Sequence, residues 1–187
     1  MIKKHYYTWK HIEKMCIDIA MQMQKDDWKP DYIVGLTRGG NIPATILSNM
    51  MDVRCESLKV SLRDGDSENE SNAWMAEDAF GYVSEEDRVK TKSRWDIGRR
   101  KNILIVDDIN DTGATFNWII KDWQSGCLPS EDSWNTVWGR NVRFAVLTDN
   151  MASETIAPVA YTAHEINKAD EDVWLVYPWE IVGKYDA

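Results

Sequence analysis

Asn102-Ile-Leu-Ile-Val-Asp-Asp-Ile-Asn-Asp-Thr-Gly-Ala-Thr115 carries the clearest signal in the chain. Ile103 to Val106 are apolar and mostly β-branched, which predicts a strand buried on both faces. Asp107 and Asp108 stand where that strand ends. Asp111 to Thr115 then form a short loop of small and hydroxylic residues, followed by a helical stretch from Phe116 to Trp123. Strand, acid pair, loop and helix in that order put carboxylates and free backbone N–H groups at the carboxyl edge of a sheet. Open α/β sheets bind their ligands at that edge. The loop and helix N-terminus suit a phosphate. The acids repel one, so they serve another group, such as ribose hydroxyls or a hydrated Mg²⁺.

A second unit of the same kind lies upstream. Tyr32 to Leu36 read as a short buried strand, Thr37-Arg-Gly-Gly40 as a turn, and Ile42 to Met51 as a helix with Pro43 in its first turn. Two glycines allow backbone N–H groups to approach an anion closely, and Arg38 adds a forked donor for phosphate oxygens. On its own the same turn also reads as a plain strand-to-helix connection with Arg38 in solvent. Two anion loops at one sheet edge would suit a ligand with phosphates at both ends.

The remaining periodicities complete an α/β pattern. Thr8 to Gln24 carry a helical stripe of Ile12, Met15, Cys16, Ile19, Ala20 and Met23, with Thr8 as N-cap. Strands are predicted at Cys55 to Leu62, Val142 to Thr148, Tyr161 to Ile166 and Val173 to Tyr177. Strands alternating with helices indicate a mostly parallel sheet covered on both faces. With no repeat and no linker, residues 1–187 read as a single domain. Arg63 to Arg100 are polar, charged and poor in apolar periodicity, which predicts a flexible lid or insert. Its aromatics, Trp74, Phe80, Tyr82 and Trp95, argue that part of it packs.

Composition narrows the partners. At 187 residues and 43% hydrophobic, the chain can bury one good-sized core. A net charge of −9 argues against nucleic acid as a main partner, because phosphate neutralisation needs clustered Lys and Arg. The three cysteines are scattered and odd in number, which points to a reducing, cytoplasmic setting and no disulfide framework. No apolar run is long enough to span a membrane, the N-terminus is not a signal peptide, and no Cys/His spacing suggests zinc. The ten tryptophans read as core and interface anchors.

Ile103 to Thr115 resembles the phosphoribosyl-diphosphate (PRPP) motif of type I phosphoribosyltransferases, and Thr37 to Gly40 is similar to that family's pyrophosphate loop. The resemblance narrows to xanthine-guanine and related purine phosphoribosyltransferases. They open with a Thr-Trp helix entry, like Thr8-Trp9. They continue with Arg-Gly-Gly-x-x-Pro, like Arg38 to Pro43, and close with Trp-x-x-x-Pro-Trp-(Asp/Glu), like Trp174 to Glu180. The resemblance implies the type I phosphoribosyltransferase fold with a small hood, to which residues 167–187 contribute and in which 63–100 would be a mobile lid. An acidic insert without catalytic use is the other reading of 63–100.

By position, the resemblance implies a role for each motif residue. Asp111, Thr112, Gly113, Ala114 and Thr115 would cradle the 5′-phosphate. Asp107 and Asp108 would hold the ribose hydroxyls, directly or through Mg²⁺. Thr37, Arg38, Gly39 and Gly40 would contact pyrophosphate on a turn that often carries a non-proline cis peptide in the family. Asp111 would be the general acid/base facing a purine nitrogen. Trp174 would stack on the base while main-chain groups of Trp174 and Leu175 read its edge. Relatives carry a lysine just after the strand matching Val142 to Thr148, and it reads a 6-oxo group. Here Asn150 stands near that place, with Lys168 as an alternative. The implied partners are PRPP, a nucleobase and a second copy of the chain, as dimer or tetramer. A non-catalytic PRPP-sensing module is the competing reading. A phosphotransfer domain with Asp107, Asp108 and Asp111 around a metal would explain neither Thr37 to Gly40 nor Trp174 to Glu180.

Overall fold

The computed structural model describes residues 2–60, 72–126 and 130–184. In chain order it contains β1 (Lys3–Tyr6), α1 (Trp9–Lys25), β2 (Tyr32–Thr37), α2 (Asn41–Met51), β3 (Arg54–Lys59), α3 (Ala73–Phe80) and α4 (Glu85–Thr91). These are followed by β4 (Ile103–Asn110), α5 (Ala114–Gly126), β5 (Val142–Asn150), β6 (Val159–Ile166) and β7 (Val173–Val176). Five strands form one sheet in the order β3-β2-β4-β5-β6, and every neighbouring pair is parallel. β1 and β7 form a separate two-stranded parallel sheet.

Alternation along the central strands divides the core in two. Tyr32, Val34, Ile103, Ile105, Val142 and Phe144 face α3 and α5, against Met75, Phe80, Phe116, Ile119 and Trp123. Ile33, Leu104, Val106, Ala145 and Leu147 face the other way, onto Ile12, Cys16, Ile19 and Met23 of α1 and Leu47 of α2. Successive side chains of a strand point to opposite faces, so near-continuous apolar runs serve both layers at once. Thr8 caps α1 as expected: its hydroxyl accepts from the His11 N–H at 3.2 Å, and His11 Nδ1 accepts from the Thr8 N–H at 3.1 Å.

Two elements depart from the sequence reading. β1 consists of four exposed residues with no apolar alternation, so only its register with β7, from Lys3↔Val173 to Tyr6↔Val176, makes it a strand. Within the expected lid, residues 73–80 build α3, which buries Met75, Ala76, Ala79 and Phe80. Eight residues give too short a window for helical periodicity to register. α4, in contrast, buries none of its side chains. Residues 63–71 of that expected lid lie outside the described residues. Of the tryptophans, Trp123 and Trp134 are fully buried, and Trp138 stacks between Trp134 and Phe144.

Phe80→Ala should destabilise the protein by about 3–5 kcal/mol in urea unfolding, as expected for an emptied aromatic core site. Val89→Ala in α4, where Val89 is 84% exposed, should change stability by less than ~0.5 kcal/mol. Equal effects at the two positions would place α3 outside the core.

Candidate active site

The parallel sheet brings the carboxyl ends of β2 and β4 together, because Tyr32 to Gly35 pair in register with Ile103 to Val106. The Thr37–Gly40 turn therefore lies directly over the acid pair. Its Thr37–Arg38 peptide is cis. A side chain at Gly39 would put its Cβ 2.0 Å from Asp108 Oδ2, and one at Gly40 would sit 2.4 Å from the Val106 carbonyl. Only glycine allows the turn to approach so closely. Asn41 braces the turn from α2, donating to Thr37 Oγ1 at 3.2 Å and accepting from the Ser57 hydroxyl at 3.0 Å.

Asp107 and Asp108 are half-buried and adjacent. The Asp108 N–H donates to Asp107 Oδ1 at 2.9 Å, and the Ile109 N–H donates to Asp108 Oδ1 at 2.9 Å. Burial, followed by the neighbouring Asp108 charge, raises Asp107 well above the usual carboxylate range. Burial also raises Asp108. The protein thus holds two carboxyls that resist carrying two negative charges unless a cation or a set of hydroxyl donors joins them.

The loop from Asp111 to Thr115 turns onto α5. Gly113 has φ +88°, and a Cβ there would meet the Glu154 carbonyl at 2.5 Å. The Thr112 hydroxyl accepts from the Ala114 N–H at 3.3 Å, and the Glu154 N–H donates to the Thr112 carbonyl at 3.1 Å. Asn117 ties the same segments together, donating to the Glu154 carbonyl and accepting from the Ile156 N–H, each at 2.7 Å. Buried Asn110 holds the β5 end, donating to Asp149 Oδ1 at 2.8 Å and Ser153 Oγ at 2.7 Å.

These parts line one cleft of about 770 Å³. Thr37, Arg38 and Gly39 border it on one side, Asp107 to Thr115 on the floor, and Trp174 and Leu175 of β7 on the far side. Gly40 lies beneath the cleft as the N-cap of α2. Trp174 is 53% exposed, so its ring is offered to the cleft rather than spent in the core.

Asn150 does not line the cleft, which corrects the expectation that it reads the base. It is 5% exposed, and its side chain is committed to the scaffold. It donates to the Asp111 carbonyl at 2.8 Å and accepts from the N–H groups of Ala152 at 3.2 Å and Lys168 at 3.0 Å. Lys168, the alternative, does line the cleft, and its Nζ lies 2.9 Å from Asp111 Oδ1. Val60, Phe116 and three polar cleft residues escaped the reading of site residues from sequence. Lys59 reaches the cleft because β3 pairs Lys59 with Thr37 across the sheet. Tyr177 and Glu180 reach it from the segment after β7. Only the Trp174–Glu180 pattern hinted at the last two.

The raised acid pair has a consequence for stability. A carboxyl that binds its proton more tightly folded than unfolded loses stability as pH rises from the unfolded value through the folded one. Asp107→Asn should therefore raise Tm at neutral pH and flatten its decline above the ordinary carboxylate range. Thermal melts across that range would check it, and a lowered Tm at neutral pH would contradict the electrostatics.

The model of the phosphoribosyl transferase domain matches residues 3–156. The chain is 25% identical over 202 residues to the hypoxanthine-guanine phosphoribosyltransferase of Schizosaccharomyces pombe, spanning 94% of this chain and 88% of that protein. It is 21% identical to xanthine phosphoribosyltransferase 1 of Saccharomyces cerevisiae, over 95% of this chain and 90% of that one. The solved structure of the Helicobacter pylori xanthine-guanine-hypoxanthine phosphoribosyltransferase superposes with a TM-score of 0.63 at 17% identity, covering 97% of this chain and 96% of that one. Since the matched segment runs from β1 through both anion loops to the end of β5, the chain belongs to the phosphoribosyl transferase domain family.

Proposed function

We propose that this protein transfers the 5-phosphoribosyl group of PRPP to a purine base and releases pyrophosphate. The observation that carries this reading is the convergence of two glycine-containing anion loops, an acid pair and an exposed indole on one cleft. The curated relatives named above are hypoxanthine-guanine and xanthine phosphoribosyltransferases, which supports a purine acceptor.

In this reading the Asp111–Thr115 loop takes the 5′-phosphate on its N–H groups and the α5 N-terminus. Asp107 and Asp108 take the ribose hydroxyls, and Thr37 to Gly40 take the pyrophosphate. The bond between C1 of the ribose and the pyrophosphate oxygen breaks as a purine nitrogen attacks C1. Positive charge grows on the ribose, beside the acid pair. Negative charge grows on pyrophosphate, beside Arg38, whose guanidinium suits phosphate oxygens. Asp111 stands at the junction of phosphate loop and base, where it serves as the general acid/base for the purine. Its ion pair with Lys168 and the Asn150 bond to its carbonyl hold it there. Trp174 stacks on the base.

An all-oxygen carboxylate pair suits a hard cation that keeps water and substrate oxygens as its other ligands. Asp107 and Asp108 would hold Mg²⁺, which supplies charge neutralisation for the ribose-diphosphate when bound.

The direct test mixes the protein with PRPP, Mg²⁺ and a panel of purine and pyrimidine bases and measures pyrophosphate release. Release with purines alone is expected. Tight PRPP binding without release on any base would instead establish a sensing module. Asp111→Asn should lower kcat by about a hundredfold or more while PRPP affinity stays nearly constant. Equal loss of both would remove its acid/base role. Trp174→Ala should raise the base KM about tenfold, from lost stacking, and leave PRPP binding intact. An unchanged base KM would take Trp174 out of the site.

A further inference from the structure

β3 ends in a lysine that the fold carries into the cleft. Lys59 is the last residue of β3 and pairs in parallel register with Thr37, where the first anion loop begins. Alternation fixes its side of the sheet. Leu58 is buried in the α3 and α5 layer, whereas the Ser57 hydroxyl donates to Asn41 Oδ1 of α2 at 3.0 Å. Lys59, two residues after Ser57, shares that second face, beside the Thr37 hydroxyl that Asn41 also braces. There it joins Thr37, Arg38 and Gly39 in lining the cleft. The other cation of β3, Arg54, is engaged at the opposite end of the strand, 3.0 Å from Glu56 and over the Tyr32 ring at 4.4 Å.

The charged side chains that line the cleft, among the described residues, are sorted by strand. The acids are Asp107, Asp108 and Asp111, at and after the end of β4, and Glu180, after β7. None of them stands on β2 or β3. The cations are Arg38, Lys59 and Lys168, and Lys168 is paired with Asp111 at 2.9 Å. Arg38 and Lys59 are therefore the positive charges of the β2–β3 end. A chain of net charge −9 holds a polyanion only with cations placed locally. A diphosphate carries more negative charge than one guanidinium can match. An ammonium on a flexible stem adds a compact charge with three donors to aim at phosphate oxygens. β3 is an edge strand, and a lysine there also discourages the addition of foreign strands. That use asks only for a charge in solvent and does not call for a side chain on the cleft wall.

We propose that Lys59 is a second cation for the leaving diphosphate: together with Arg38 it makes the β2–β3 end of the cleft a positive pole that binds the pyrophosphate group of PRPP. This assignment rests on the proposed function and adds to it a residue that no sequence motif marks. As the purine nitrogen bonds to ribose C1, the bond from C1 to the diphosphate oxygen breaks. Its electron pair stays on that oxygen, and the purine's proton goes to Asp111. The charge left on the diphosphate falls to Arg38 and Lys59. The same two charges set the direction in which the substrate lies, with the diphosphate toward β3 and the 5′-phosphate toward α5. Lys59 reaches the pole from a neighbouring strand, so its charge can be removed without altering the turn itself.

Calorimetric binding of inorganic pyrophosphate, PRPP and ribose 5-phosphate to the full chain, with Mg²⁺ present, tests the assignment. Lys59→Gln should weaken pyrophosphate and PRPP about ten- to hundredfold, the worth of one hydrogen bond to a charged group. Ribose 5-phosphate, which lacks the diphosphate, should bind the variant as it binds the wild type. Lys59→Arg keeps the charge and should recover most of the affinity for pyrophosphate. Unchanged affinity for pyrophosphate and PRPP in Lys59→Gln would overturn the proposal. An equal loss for all three ligands would also overturn it, because Lys59 would then be part of the scaffold. A wild type that binds PRPP and pyrophosphate but turns over no base would refute the transferase reading, and the Lys59→Gln comparison would still decide the lysine's role. A wild type that binds neither would overturn both.

Discussion

Two adjacent carboxyls at the end of a buried strand repel each other and are partly withdrawn from solvent, and the site is arranged around that constraint. Asp107 is raised well above its ordinary range by burial and by Asp108. Local N–H donors at Asp108 and Ile109 relieve part of the cost. The remainder is left for whatever binds. A group that brings hydroxyls and a cation to this strand end is favoured both by its own contacts and by the relief it gives. Structure that is destabilising when empty and satisfied when occupied is a common trade of stability for function.

The surrounding fold makes that pair rigid rather than accommodating. Gly39 and Gly40 press the first anion loop onto it from β2, and Tyr177 holds its peptide from the segment after β7. Gly113 lets the second loop turn beneath Glu154, and Asn150 ties Asp111 to the backbone of Lys168. Each clamp comes from a different part of the chain. The two core layers, α1 and α2 on one face and α3 and α5 on the other, hold β2 and β4 still while the loops above them carry the chemistry.

What could be read from the sequence follows from how local each signal is. β2, β4 and β5 announce themselves because both of their faces are buried, so apolar residues run on without alternation. Both anion loops were legible because glycine, a hydroxyl and a charged side chain sit within a few residues of a strand end. β1 was not legible, since its four exposed residues become a strand only through β7. α3 was hidden by its length and its charged neighbours. Lys59 enters the cleft by parallel register, which has no local trace. Asn150 stood at the sequence position expected for a base-reading group, but its amide is taken up by main-chain groups of Asp111, Ala152 and Lys168, and the Lys168 side chain, eighteen residues later, occupies the cleft.

The central claim, that the cleft relieves Asp107 and Asp108 by binding a cation and ribose, can be tested by calorimetry. PRPP binding with Mg²⁺ would be measured in two buffers of different ionisation enthalpy, for the wild type and for Asp107→Asn, across mildly acidic to neutral pH. The account predicts that the wild type releases more protons than the variant, with the excess growing as pH falls, because binding favours ionisation of a carboxyl whose hold on its proton burial has strengthened. Equal proton release by the two proteins at every pH would contradict it.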